Sequence, residues 1–336
     1  METNNNLLSV LTREGVLIKV SVRYWRGCKK LKAEDLGLNE KDVSDRLISL
    51  GHKRLLPKDA LAGLAVVEGR AHALIDANTF PFLNCLGHFL PNAKLQEVTD
   101  RLKDLEREFW AAKQEFLNKY SSLRSGAAKE WRKMAEKLVT HPEHLVATIE
   151  ASFPYPDQMD RYFSFDVQLF QITLPEKLGF DVLDIAQQQE VIAARQKAAG
   201  EAAQKIRNDV QSFVADCVAS LREQTAQLCE DMLSSINNCE TGVHQKTLNR
   251  LVRFIEQFKQ MNFANDTQME QQLEQVRREL LNKTAEEYRD SKTARARLKQ
   301  GLSQLADHAR NLAKQDATDL VQRFGQLGQR KFHLAA

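Results

Sequence analysis

The longest uninterrupted hydrophobic pattern in the chain runs from Asp181 to Gly242, a stretch without proline. Ile185, Ile192, Ala199, Ile206 and Phe213 recur at every seventh position, and Gln189, Gln196, Ala203, Val210 and Cys217 fill the intermediate positions of the same seam. This is the spacing of a coiled coil. Beyond Phe213 the stripe moves to Val214, Val218, Leu221, Thr225, Leu228, Met232 and Ile236. Such a phase shift is what a stutter or a change of partner helix produces. One continuous helix over this span would be roughly 90 Å long at about 1.5 Å per residue, more than the core of a compact domain needs.

Two further segments repeat the pattern. From Asn92, a residue suited to a helix N-terminus, the positions Leu95, Val98, Leu102, Leu105, Phe109, Ala112 and Phe116 keep a 3-4 spacing. Tyr120 and Leu123 extend it, and Trp131, Met134 and Leu138 continue it past Gly126. After a break expected at Thr241–Gly242, residues 244–261 carry Leu248, Leu251, Val252, Ile255 and Phe258 on one side. Asn262–Asn265 is then a turn, and Asp266 or Thr267 caps a last long helix, with Glu270 placed for a capping box and Met269, Leu273, Val276 and Leu280 opening its stripe. That helix is expected to run to about Phe324.

Elsewhere the period changes to two. Ile18, Val20, Val22 and Tyr24 alternate with Lys19, Ser21 and Arg23, and Phe163, Phe165, Val167 and Leu169 alternate with Ser164, Asp166 and Gln168 before Ile172, Leu174 and Pro175. Each predicts a strand. Neither can leave its backbone groups unpaired, so the two should lie side by side; residues 329–334 are a candidate for a third strand. Between them, Ala60–Pro91 is the most hydrophobic stretch, with a helix starting at Pro57 and then Phe80, Phe82, Leu83, Leu86, Phe89 and Leu90. It reads as the core of a head domain, or else as a surface made to enter a partner or a bilayer. The expected fold is mostly α: a small α+β head with a two-stranded antiparallel sheet and one long helix over 1–180, then a long coiled-coil helical hairpin over 181–336.

Composition narrows the function more than it identifies one. Residues are 43% hydrophobic and 28% charged, and 48 Lys and Arg against 45 Asp and Glu give no global field toward nucleic acid or anionic lipid. Any such binding must be local. One basic segment holds Arg26, Lys29, Lys30 and Lys32 after Trp25, and another holds Arg289, Lys292, Arg295, Arg297 and Lys299 against Asp290 alone. Solvated surface is the simpler reading of both; contact with phosphate or an acidic helix is the sharper one. The cysteines, Cys28, Cys85, Cys217, Cys229 and Cys239, have no Cys-x-x-Cys spacing and read as buried or idle thiols in a reducing cytosol. Glu2 and three asparagines stand where a secretory leader would be basic and apolar, so none is expected.

Candidate chemistry is sparse. Leu50-Gly51-His52-Lys53-Arg54 lacks P-loop spacing, which leaves Lys53 as an expected surface residue. His141 and His144 lack a third ligand nearby. No Gly-x-Ser-x-Gly, His-Glu-x-x-His or Gly-x-Gly-x-x-Gly occurs. No enzyme activity, metal or cofactor is expected.

Several stretches of the first 175 residues carry a resemblance: Tyr24-Trp25-Arg26-Gly27 with Lys29-Lys30-Leu31, then Leu50-Gly51-His52-Lys53-Arg54, then Phe80 and Pro91, then Phe109, Phe116, Tyr120 and Trp131, and the strand ending at Pro175. The chain resembles an uncharacterised family of bacterial proteins carried by phages and mobile elements, known only as a domain of unknown function. The resemblance implies genes near a MoxR-like AAA ATPase and a von Willebrand factor A-type protein, and hence an assembly partner. It carries over no functional residue. The leading expectation is therefore a cytoplasmic, non-enzymatic structural protein that self-oligomerises through its long helices, with Ile185, Ile192, Ile206, Val210, Phe213, Leu221 and Leu228 on the seam and a filament or tube as its repeating form. The alternatives are an α-helical pore-former with residues 60–91 as its apolar head, and an accessory nucleic-acid-binding protein using the two basic segments.

Overall fold

The computed structural model describes residues 2–36, 38, 50–83, 86–139, 142–171, 188–238, 243–315 and 320–324, with the backbone alone described for 2–6 and 188–196. The chain forms two compact units whose segments interleave. One comprises Met1–Ile18, Asn78–Gln96 and Leu169–Ala336; the other comprises Lys19–Ala77 and Glu97–Gln168. The protein is mostly α-helical with a small α+β region.

The first unit opens with α1 (Glu2–Glu14) and the start of β1 (Gly15–Arg23). Gly15–Ile18 pair antiparallel with β5 (Gly87–Pro91), in the register Gly15 to Pro91 and Ile18 to His88, and β5 pairs antiparallel with β4 (Phe80–Phe82). These two strands lie in the apolar stretch, where three-residue and five-residue elements are too short for alternation to register. Leu83, at φ 40°, turns the chain after β4.

This unit also contains α5 (Gln188–Asn238), α6 (Gln245–Met261), α7 (Thr267–Leu280), α8 (Ala285–Asp290) and α9 (Lys292–Lys314). α5 packs most extensively against α9. The expected turn after Met261 is present, and Asp266 is the cap of α7, its carboxylate accepting from the Met269 N–H. Glu270 does not complete a capping box there; it accepts from Asn262 Nδ2 instead. The last long helix is not continuous. Thr284 and Glu287 form a capping box that starts α8, and Ser291 caps α9 through the Ala294 N–H. Side chains that accept backbone N–H groups let a new helix begin where the apolar stripe alone predicts one rod. Thr241–Gly242 and residues 329–334, the expected kink and third strand, lie outside the described residues.

In the second unit the later residues of β1 lie beside β6 (Ser164–Phe170), the pairing expected from the two alternating stretches. Arg23, at the end of β1, donates from Nε to Ser164 Oγ at 2.9 Å, at the start of β6. Ile172, Leu174 and Pro175 lie outside the described residues. α3 (Asn92–Leu138) runs unbroken through Gly126. Trp25 is 7% exposed, with ring centroids 6.2 Å from Phe116, 5.9 Å from Tyr120 and 6.0 Å from Phe153. Aromatic residues of α3 thus serve as core, with Phe109 against Phe165 of β6 at 5.7 Å. α2 (Ala62–Asn78) follows a short 3₁₀ turn after Pro57, and α4 (Pro142–Ala151) buries Leu145, Val146 and Ile149.

Candidate functional site

The seam of α5 is the first candidate. Ala199, Ala203, Val210, Phe213 and Cys217 are buried, but so are Val214, Val218, Leu221, Thr225, Leu228, Met232 and Ile236. From Val210 onward the buried surface is therefore a broad face and not a narrow coiled-coil stripe, which is why the apolar stripe changes phase at Phe213. The chain's own residues cover it. Phe213 meets Phe82 at 4.7 Å and Phe89 at 5.7 Å between ring centroids, edge to face. Leu298, Leu302, Leu305 and Leu312 of α9 join the same core. Ile206 is only partly buried against it. Ile185 and the side chain of Ile192 lie outside the description.

Polar groups on this face are held inside it. Arg222 donates to Asp266 and to the Leu312 carbonyl, and Thr225 Oγ1 donates to the Leu221 carbonyl at 2.8 Å. Burial pushes the Cys229 thiol up to about 12 and raises Cys217 well above its ordinary value. Both are poor nucleophiles near neutral pH, because the thiolate is the reactive species.

The N-terminal basic segment divides in two. Arg26 is engaged: its guanidinium makes a two-pronged pair with Glu68 at 2.7 and 2.5 Å and lies 4.0 Å from the centroid of the Tyr24 ring. Tyr24 Oη donates to Glu68 at 3.2 Å. The hydrogen bond from Arg26 holds the Glu68 carboxyl below its usual range, while burial raises Tyr24. With Trp25 in the core, the aromatic expected beside the patch is not available for base stacking.

Lys29 and Lys30 remain exposed on β2 (Cys28–Lys30), which pairs antiparallel with β3 (His52–Arg54). Lys30 stands opposite His52, and Cys28 opposite Arg54. Three-residue strands are too short for alternation to mark them; the two glycines beside them, Gly27 at φ 61° and Gly51 at φ 73°, are the signal in the sequence. Lys53 is not a surface residue. It is 6% exposed and donates to Asp35 Oδ1 at 2.6 Å, while the Lys32 N–H donates to Asp35 Oδ2 at 2.8 Å. A lysine in a polar loop reads as exposed until a carboxylate elsewhere in the chain is brought to it.

The second basic segment is split between two helices. Arg289, on α8, donates to the Ala285 carbonyl, and Arg295 donates back to the Arg289 carbonyl at 3.2 Å. Lys292, Arg295 and Lys299 share a face of α9 by their spacing. Arg297 lines an open groove of about 240 Å³ with Gln272, Gln275, Glu279, Gln300 and Gly301.

Within residues 60–91, Leu64, Val67, Ala71, Ile75, Phe80, Phe82, Phe89 and Leu90 are buried, whereas Val66 and Leu86 are exposed. No helix of the described residues is long and apolar enough to cross a membrane. His141 lies outside the described residues, and among those described no group of three or more His, Cys, Asp or Glu is placed to hold a metal.

No curated protein and no solved structure matches the chain. A family model described as "Protein of unknown function (DUF3150)" matches residues 12–289, most of the sequence, and the chain belongs to that family.

Proposed function

We propose that this protein is a non-enzymatic assembly component that self-associates through its long helices. The observation that carries the reading is the length of α3 and α5, 47 and 51 residues, or about 70 and 76 Å at about 1.5 Å per residue. A helix of that length is stabilised by packing along an apolar face, since isolated helices are marginal in water. On α5 the chain's own cover is broad from Val210 to Ile236. Before Ile206 only Ala199 and Ala203 are buried among the described side chains, while Lys197, Glu201 and Gln204 are exposed. This thinning of the chain's own cover supports a contact between copies along α5 before Val210. Exposed Met134 and Leu138, one turn apart near the end of α3, offer a second apolar surface.

The setting proposed is a phage- or mobile-element-associated system, with a MoxR-like AAA ATPase and a von Willebrand factor A-type protein as partners. Its support is the sequence resemblance. Repetition of one contact between copies generates a closed ring or a filament according to whether the rotation closes.

Light scattering after size exclusion, together with negative-stain microscopy, tests the reading. Multiples of the chain mass that grow with protein concentration are expected. A monomer at every concentration up to the solubility limit, with no particles larger than one chain, overturns it.

A further inference from the structure

We propose that the β2–β3 ribbon is a contact surface for the phosphate backbone of a nucleic-acid duplex. In an antiparallel pair, residues directly opposite one another share a face, and faces alternate along each strand. Cys28, Lys30, His52 and Arg54 therefore occupy one face of the ribbon, and Lys29 and Lys53 the other. Lys53 is turned in and neutralised by Asp35. The other nitrogen-bearing side chains of the ribbon, Lys29, Lys30, His52 and Arg54, are all exposed, and none has an ion-pair or hydrogen-bond partner among the described residues. That sets them apart from Arg26, Arg70 and Lys113 of the same unit, each of which pairs with a carboxylate.

Like charges on adjacent strands repel, so leaving cations side by side on a two-stranded ribbon costs stability unless something neutralises them. Lys30 and Arg54 are diagonal neighbours, about 7–8 Å apart at the backbone. The ribbon carries no acidic residue. Its backbone is also firmly held. The ladder continues through the Leu55 N–H to the Gly27 carbonyl at 2.7 Å and the Leu31 N–H to the Gly51 carbonyl at 3.0 Å. Trp131 Nε1 donates to the Arg54 carbonyl at 2.9 Å, tying the second strand to α3. The charges are thus presented on a rigid support, and a two-stranded ribbon is one of the elements that a duplex groove admits. The occupant that fits is a regular array of negative charge, and the contact is to phosphate, not to bases, because neither Trp25 nor Tyr24 is free to stack.

The test is fluorescence anisotropy of the full chain with a labelled mixed-sequence DNA duplex. If Lys30 and Arg54, the two cations that share the outward face, each neutralise one phosphate, log affinity falls against log salt with a slope near −1.8, about twelvefold between about 50 and 200 mM salt. In the Lys30→Gln/Arg54→Gln double variant that contact is removed and the slope falls to near zero. Both substitutions are at exposed side chains, and the Arg54 carbonyl that holds Trp131 is retained, so an unchanged circular dichroism spectrum is expected. Absence of binding at low salt overturns the proposal. So does a double variant that keeps the original slope, which would move the contact to the α8–α9 segment. Binding of polyglutamate without binding of the duplex also overturns it and assigns the ribbon to an acidic protein.

Discussion

Arg222 Nε lies 2.6 Å from Asp266 Oδ2 inside the packed face of α5, and the two side chains are 7% and 3% exposed. The same guanidinium donates to the Leu312 carbonyl at 2.8 Å, near the end of α9, and the other oxygen of Asp266 accepts from the Met269 N–H. One buried pair thereby ties α5, the N-terminus of α7 and the C-terminus of α9. Removing one partner strands the other charge in an apolar setting. Arg222→Leu should lower unfolding stability by about 3–5 kcal/mol. Arg222→Lys, which keeps the charge but has no planar fork to reach both acceptors, should lose less. Urea denaturation of both variants checks this; a loss below about 1 kcal/mol for Arg222→Leu would put the pair in the class of surface bridges and remove its structural role.

The Lys53–Asp35 pair makes a prediction about pH. Burial pushes the Asp35 carboxyl up, but the hydrogen bonds from Lys53 Nζ and the Lys32 N–H outweigh it and leave its pKa below the ordinary value. A depressed folded pKa contributes stability that is present above the unfolded value, about 3.9, and is lost as pH falls through the folded one. Asp35→Asn should therefore cost about 3–5 kcal/mol near neutral pH, where Lys53 is left without its counter-charge. The difference from the parent should shrink steadily below about pH 4. Denaturation curves taken across the acid range measure it. A gap that stays constant down to the acid limit would mean that Asp35 titrates as an ordinary carboxylate.

These pairs also mark the limit of what the sequence discloses. The 3-4 spacing from Leu95 to Phe116 predicted α3, and its continuation to Leu138 survived Gly126 because the apolar positions on both sides keep one phase. Alternation over Ile18–Tyr24 and Phe163–Leu169 predicted β1 and β6 as neighbours. The breaks before α8 and α9 leave no mark in the periodicity because Thr284 and Ser291 sit among helix-forming residues and act through hydrogen bonds to N–H groups. Lys53 reads as a surface residue because its burial depends on a carboxylate 18 residues away, on a 3₁₀ turn with no pattern of its own. Periodicity reports which face is buried; it does not report what covers it, and so the cover of α5 by Phe82, Phe89 and α9 could not be read in advance.

Two glycines should respond in opposite directions. A Cβ on Gly15 would fall 2.5 Å from the Leu90 carbonyl oxygen and 2.5 Å from Phe89 Cζ, where β1 meets β5. One of those atoms belongs to the backbone of the partner strand and cannot swing aside, so Gly15→Ala should cost about 1–3 kcal/mol through strand displacement. Gly126, inside α3, has open space where its Cβ would go. Gly126→Ala should raise stability by roughly 0.5–1 kcal/mol by restricting the unfolded chain and favouring the helix. Thermal melts of the two variants give the signs directly, and a stabilising Gly15→Ala would refute the close approach of β1 to β5.

The covering of Phe213 separates folding from assembly. Its ring is 6% exposed and lies edge to face against Phe82 and Phe89 of the same chain. Truncating a buried phenylalanine removes the transfer free energy of the ring and leaves a cavity, so Phe213→Ala should cost about 3–5 kcal/mol. Had the seam at Phe213 been covered by a second copy, the penalty would fall on association, and the gap in melting temperature between variant and parent would widen or close with protein concentration. With the cover supplied from within the chain, the gap should be the same at every concentration. Ile206→Ala, at a half-buried position where the chain's own cover thins, should cost less in folding and more in the mass distribution seen by light scattering. A concentration-dependent gap for Phe213→Ala would return the whole length of α5 to the interface between copies. A concentration-independent gap, with a reduced assembly mass for Ile206→Ala alone, places that interface on the first turns of the helix.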